Sequence, residues 1–131
     1  MKRAKSEKRA IGDIGEEVAC KYLISRGFTI VDRNYLRPWG EIDIVAKNKE
    51  LLVFVEVKSV SRGTSQALSR GTIRPEENMH PAKIMRLSRV VQTYLIDRSV
   101  PESQLWRVDL ACVYLDFERK KGKVEVIENV I

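Results

Sequence analysis

Two apolar segments separated by a short polar stretch constrain the fold of this chain more than any other feature. Residues 39–47 and 51–59 are strand-length segments rich in β-branched and other apolar side chains, which charged residues interrupt. The polar residues 48–50 between them are typical of a tight turn. The two segments therefore predict an antiparallel hairpin.

Apolar periodicity places helices and further strands around this hairpin. Apolar side chains recur at helical spacing up to Arg26, where Gly27 ends the run, and again from Pro81, a residue that the first turn of a helix tolerates. This order of elements predicts an α/β domain. The predicted elements are a helix at 8–26, strands at 28–33, 39–47 and 51–59, a helix at 81–98, a strand at 105–117 and, as a further candidate, a strand at 124–130.

Length and composition predict one domain spanning residues 1–131, with a basic tail at 1–9 and a long polar loop at 60–80. The longest apolar run is far shorter than the roughly 20 residues of a membrane-spanning helix. Cys20 and Cys112 lack metal-binding spacing and predict buried free thiols in a cytoplasmic protein. The net charge of +6 favours a polyanionic partner, although charge alone does not identify one.

Charged side chains interrupt the predicted hairpin at strand positions. If Lys49-Glu50 forms the turn, Asp43 lies opposite Glu56, and Glu41 lies opposite Lys58. Directly opposed residues have Cβ atoms about 4.5–5.5 Å apart, where two like charges are destabilising unless a positive charge lies between them. Asp43 and Glu56 therefore require a cation.

Two interpretations of these charges remain open at this point. Carboxylate oxygens without a nearby histidine or thiolate favour Mg²⁺ or Mn²⁺ and a phosphate substrate, with Lys58 orienting the attacking water or stabilising the charge that develops on phosphorus. Alternatively, Glu41 pairs with Lys58, and the other acids form the solvated face of a sheet.

The first helix carries another candidate acid. At about 100° per residue, Glu16 lies at the edge of the apolar stripe, whereas Glu17 points to solvent. Glu16 can therefore face the domain, where it would hold the attacking water or bind a second metal ion.

Six short motifs then resemble one protein family. They are GDIGEEVACKYL, GFTIVDRNY, GEIDIVA, LVFVEVK, the K-x-x-R of Lys83 and Arg86, and RVDLACV. In this order, over residues 12–115, they resemble the YraN family of small bacterial proteins. That family belongs to the restriction endonuclease-like, or PD-(D/E)xK, superfamily and is similar to archaeal Holliday junction resolvases.

The resemblance implies a fold and a set of site residues. The fold is a restriction endonuclease-like core of order αβββαβ, with a mixed central sheet flanked by helices. Asp43 and Glu56 would be metal ligands, Lys58 the catalytic lysine, and Glu16 the helix acid that completes the catalytic and metal-binding set. Glu41 matches the family pattern as an accessory residue. The implied activity is Mg²⁺- or Mn²⁺-dependent hydrolysis of phosphodiester bonds in DNA, with branched or junction DNA as a candidate substrate.

Basic residues in the polar loop and the second helix would contact phosphates if they converge on one rim. They are Arg62, Arg70, Arg74, Lys83, Arg86 and Arg89. Trp39 would either stack on a base or pack against the sheet edge. The alternatives to a nuclease are a noncatalytic nucleic-acid-binding module and a protein-interaction domain. Cleavage of a junction on opposed strands requires two sites, so the resemblance is compatible with a homodimer.

Overall fold

The computed structural model describes residues 2–61 and 79–131, with side chains for residues 9–61 and 79–131. The described residues form helices and strands in the predicted order, and Cys20 and Cys112 are buried, as predicted, and are not joined by a disulfide. Neither described helix has an apolar stretch that would cross a membrane. The elements are α1 (Lys2–Ser25), β1 (Thr29–Arg37), β2 (Gly40–Lys47), β3 (Leu51–Ser61), α2 (Pro81–Asp97), β4 (Leu105–Asp116) and β5 (Lys121–Ile127).

The strands form one mixed sheet in the order β1-β2-β3-β4-β5. β3 and β4 run parallel, and the other neighbouring pairs run antiparallel. A parallel pair requires a crossover connection, and α2 lies in the segment that connects β3 to β4. The structure confirms the α/β class and the mixed sheet of the αβββαβ core, and it confirms β5 as a fifth strand.

The hairpin of β2 and β3 has the predicted register. Ile44 pairs with Val55, and Lys47 pairs with Leu52. The side-chain oxygen of Asn48 accepts hydrogen bonds from the backbone N–H groups of Glu50 and Leu51, at 3.0 and 2.8 Å. This side-chain contact mimics a backbone turn and fixes how the two strands meet.

Each face of the sheet packs against one helix. Val53 and Val55 belong to the core on the α1 side, together with Leu23. Phe54 belongs to the core on the α2 side, together with Tyr94. The alternation along β3 therefore serves both cores, because both faces of the sheet are covered by helices.

α1 approaches the sheet closely at Gly15. A Cβ atom at this position would lie 2.7 Å from the Ser59 Cβ and would overlap the Ser59 hydroxyl oxygen. That oxygen is buried and has no hydrogen-bond partner among the described residues. The missing side chain of Gly15 thus lets α1 lie directly against β3.

Three elements differ from their predicted bounds by more than two residues. α1 begins at Lys2, within the segment predicted as a basic tail, and ends before Gly27, which has a φ of 92°. β1 continues to Arg37, because the Tyr35 hydroxyl donates to Asp97 at 2.9 Å and ties the end of the strand to α2. β5 ends at Ile127, since the following chain turns so that the Val130 N–H donates to the Val108 carbonyl.

Substituting Gly15→Ala should destabilise the fold by about 1–3 kcal/mol, the usual effect of overpacking a dense interior. Gly12→Ala is the matched control, because a Cβ atom at Gly12 meets nothing within 4 Å. That change should stabilise the helix by roughly 0.5–1 kcal/mol. Urea denaturation of both variants measures the two free energies of unfolding.

The overlap with Ser59 can be tested separately. In a Ser59→Gly background, Gly15→Ala should lose most of its destabilising effect, because both contacting atoms of the serine are gone. An undiminished loss of stability in the double variant would contradict a close approach of α1 to β3 at this point.

Candidate active site

The candidate site lies where β2 and β3 separate. The paired residues of the hairpin end at Ile44 and Val55. A regular continuation would pair Ile42 with Val57, but the Val57 N–H donates instead to Asp43 Oδ2 at 2.7 Å. A carboxylate of β2 thus takes the place of a backbone carbonyl, and it holds the separating strands together.

The side chains of β2 change direction at the same point. Ile44 belongs to the α1 core, whereas Ile42 belongs to the α2 core although it lies two residues away. Strict alternation would have placed both on one face. The local turn of the strand leaves Asp43 buried, with 8% of its surface exposed, between the two cores.

A cleft of about 160 Å³ opens beside Asp43. α2 closes one side of it, because the α2 backbone approaches β2 at Gly40, where a Cβ atom would lie 3.4 Å from the Arg86 carbonyl oxygen. The cleft is therefore bounded by the β2–β3 hairpin and the first turns of α2. Its lining residues are Gly40, Glu41, Asp43, Glu56, Lys83, Arg86 and Leu87.

The acids of the cleft repel one another. Burial and, next, the carboxylate of Glu56 raise the pKa of Asp43 to about 8, although the hydrogen bond from the Val57 N–H acts in the opposite direction. Burial and then Glu56 also raise the pKa of Glu41. These shifts are the behaviour expected of carboxylates that share a partly desolvated site.

Glu16 reaches this group of acids from α1. Its side chain is 17% exposed against 55% for Glu17, so the inward and outward orientations predicted from the helical periodicity are confirmed. Burial raises the pKa of Glu16, and Glu41 raises it further, whereas Arg33 lowers it. Arg33 lies 3.9 Å from Glu16 and 3.0 Å from Glu17, so it pairs more closely with the outward acid.

The cation beside Glu56 is Lys83. Its Nζ lies 3.0 Å from Glu56 Oε1. The sequence predicted this lysine as a phosphate contact, and it did not indicate the pairing, because nothing in the chain shows how α2 is placed over the sheet. Arg86 lies exposed beside the cleft, as a phosphate-contacting residue would.

Trp39 and Arg89 form a separate contact. The indole Nε1 donates to the Thr93 hydroxyl at 3.2 Å, and the ring packs against the α2 core. The Arg89 guanidinium lies 4.7 Å from the ring centroid. Trp39 thus packs between the sheet edge and α2. Packing against the sheet edge was one of the two roles predicted for it, and stacking on a base was the other. The other predicted phosphate contacts, Arg62, Arg70 and Arg74, lie outside the described residues.

Lys58 has a different environment from the one that strand pairing predicted. It is half-buried on β3, and it makes neither an ion pair nor a hydrogen bond with Glu41 or any other residue in the described parts of the chain. The interpretation in which Glu41 pairs with Lys58 is therefore not realised. Its ammonium, which has no partner within residues 9–61 and 79–131, belongs to a residue two positions from Glu56 and outside the set that lines the cleft.

The carboxylates of Asp43 and Glu56 fit a divalent cation that takes its remaining ligands from water and substrate. No three acidic, histidine or cysteine side chains within residues 9–61 and 79–131 form a preassembled metal group, so Glu16 does not join Asp43 and Glu56 in one. Mg²⁺ commonly takes one or two protein carboxylates, with water and substrate phosphate completing its coordination. Two neighbouring carboxylates, one with a raised pKa, are suited to that arrangement.

The raised pKa of Asp43 predicts how stability depends on pH. The folded state keeps a proton that the unfolded state releases near its ordinary value of 3.8, so stability should fall between pH 3.8 and about 8 and level off above that. Asp43→Asn cannot ionise and can still accept the Val57 N–H. Its melting temperature should exceed that of the wild type by roughly 10–20 °C at pH 8.5 and match it at pH 3.5, because raising a pKa from 3.8 to about 8 corresponds to roughly 6 kcal/mol.

The control for this measurement is Glu50→Gln, which removes a carboxylate from the exposed hairpin turn. Between pH 3.5 and pH 8.5, the melting temperature of Glu50→Gln should change by the same amount as that of the wild type. If the melting temperatures of the wild type and Asp43→Asn differ by the same amount at both pH values, the raised pKa of Asp43 is contradicted.

Comparison with known proteins places this arrangement in a family. The model of the uncharacterised protein family UPF0102 matches residues 15–113, which include every cleft acid. UPF0102 proteins of Moorella thermoacetica and Desulforapulum autotrophicum are each 39% identical to this chain, over 93% and 95% of it and 95% and 94% of their own lengths. That of Alkaliphilus oremlandii is 37% identical over 92% of this chain and 97% of its own. The chain therefore belongs to the UPF0102 family, the YraN family that its motifs resemble.

Proposed function

We propose that this protein is a Mg²⁺-dependent endonuclease that hydrolyses phosphodiester bonds in DNA, with branched or junction DNA as its substrate. The observation that carries the proposal is the buried Asp43 carboxylate beside Glu56, at the point where two strands separate over a cleft. Purely structural acids would be expected to pair with cations or water, whereas this acid is buried against another carboxylate.

Asp43 and Glu56 would hold the divalent cation. The Val57 N–H occupies Asp43 Oδ2, so it fixes the orientation of the carboxylate and leaves the other oxygen for a ligand. When bound, the cation would offset the charge of the scissile phosphate and acidify a water molecule. The protein's contribution is to present both carboxylates to the same cleft from neighbouring strands.

Glu16 and Lys58 would act on the water and the phosphate. Glu16 has a pKa raised by burial and by Glu41, so it is suited to hold the attacking water and accept its proton. Lys58 has no anionic partner in the described structure, so its ammonium is available to stabilise the charge that develops on the phosphate oxygens. Arg86, exposed at the cleft, would contact a neighbouring phosphate and position the DNA.

Cleavage of labelled single-stranded, duplex, flap and four-way-junction DNA in Mg²⁺, Mn²⁺ or EDTA tests the proposal. Cleavage should require the metal, and Asp43→Ala, Glu56→Ala and Lys58→Ala should each lower its rate by roughly 100-fold or more. Glu16→Ala should lower the rate about 100-fold, the usual contribution of a positioned acid or base.

Glu17→Ala is the matched control for Glu16, since it removes the neighbouring acid, which also contacts Arg33 but faces solvent. It should cleave at the wild-type rate. Binding across the DNA panel without cleavage by the wild type would instead favour a noncatalytic nucleic-acid-binding module.

A further inference from the structure

We propose that Lys83 is an internal counterion of Glu56 that a divalent cation displaces, and that the released ammonium then contacts the phosphate of the substrate. This inference rests on the proposed function, because it describes how the same site changes from its metal-free to its loaded state. Lys83 would thus have a positioning role in both states: it pairs with Glu56 before the metal binds, and it contacts the substrate phosphate afterwards.

The Lys83–Glu56 ion pair occupies the oxygen that a cation would need. Lys83 Nζ lies 3.0 Å from Glu56 Oε1, and the Glu56 side chain is only 16% exposed. A cation shared by Asp43 and Glu56 must therefore compete with the ammonium for the Glu56 carboxylate. A divalent cation has the advantage in this competition, because it interacts with both carboxylates and Lys83 is paired with only one.

The charges of the cleft make this exchange useful for substrate binding. Three carboxyl groups, those of Glu41, Asp43 and Glu56, face two cationic side chains, those of Lys83 and Arg86. In the metal-free state, a phosphodiester anion would approach an acidic cleft in which the Lys83 ammonium is already paired with Glu56. After the cation takes Glu56, both the cation and the free ammonium attract the phosphate.

Only the side chain of Lys83 needs to move. Its neighbour Leu87 is buried in the α2 core, and the Arg86 backbone packs against Gly40, so the first turns of α2 are fixed to the sheet. Lys83 itself is 33% exposed and has a flexible four-carbon stem. The ammonium can thus leave Glu56 and remain at the cleft without a change in the fold.

Titration calorimetry with Mn²⁺, in the absence of nucleic acid, tests the first half of the exchange. Lys83→Met keeps an unbranched side chain of nearly the same length and removes its charge, so it should bind Mn²⁺ roughly fivefold more tightly than the wild type, given the modest strength of a partly exposed ion pair. Arg86→Met removes a charge from the same cleft without breaking a pair with Glu56. It should change the affinity by less than about twofold.

Binding to a labelled four-way junction, followed by fluorescence anisotropy, tests the second half. Ca²⁺ replaces Mg²⁺ to prevent cleavage, and EDTA supplies the metal-free state. Lys83→Met should weaken binding more in Ca²⁺ than in EDTA, because only the loaded site frees the lysine for phosphate. Arg86→Met should weaken binding similarly in both.

Asp43→Asn separates the possible failures. In one outcome, Asp43→Asn abolishes Mn²⁺ binding, and the wild type, Lys83→Met and Lys83→Gln bind Mn²⁺ equally. This result would overturn the counterion role of Lys83 but would not contradict the proposed nuclease. In another outcome, neither the wild type nor either Lys83 variant binds Mn²⁺, or Asp43→Asn binds it as well as the wild type does. Either result would overturn both the metal site and the role of Lys83. Circular dichroism of each variant confirms that it is folded.

Discussion

The hydrogen bond from the Val57 N–H to the Asp43 carboxylate is the interaction on which the site depends. It replaces a backbone contact at the end of the paired hairpin, so β2 and β3 can separate without leaving a buried N–H unsatisfied. The same bond draws a carboxylate into the interior beside Glu56, where burial and repulsion raise the pKa of Asp43 to about 8. We propose that the acid that joins the separating strands is also a ligand of a divalent cation.

Two close backbone approaches bring the helices to this point. Gly15 allows α1 to pack directly on Ser59, which places Glu16 within electrostatic reach of Asp43 and Glu56. α2 packs against β2 at Gly40, and its first turn places Lys83 over Glu56. The sheet thus supplies three acids, while α1 adds a fourth acid and α2 adds two cationic side chains; these are Glu41, Asp43 and Glu56, then Glu16, then Lys83 and Arg86.

Much of this arrangement could be predicted from the sequence, because it depends on local patterns. The two apolar segments and the length of the turn between them predicted the hairpin register, and the helical periodicity predicted that Glu16 faces inward. The Lys83–Glu56 pair, and the absence of an ion pair to Lys58 among the described residues, could not be predicted, since they depend on how α2 is placed over the sheet and on the local turn of β2. Periodicity gives the face of an element but not its position relative to another element.

Asp43 and Glu56 together are proposed to form a divalent-cation site where β2 and β3 separate. A crystal structure of the protein soaked in Mn²⁺, with anomalous diffraction data, would test for this site. We expect an anomalous peak between the two carboxylates, with the Val57 hydrogen bond to Asp43 retained and the Lys83 ammonium moved away from Glu56. A peak elsewhere in the molecule, with the Lys83–Glu56 pair intact, would contradict it.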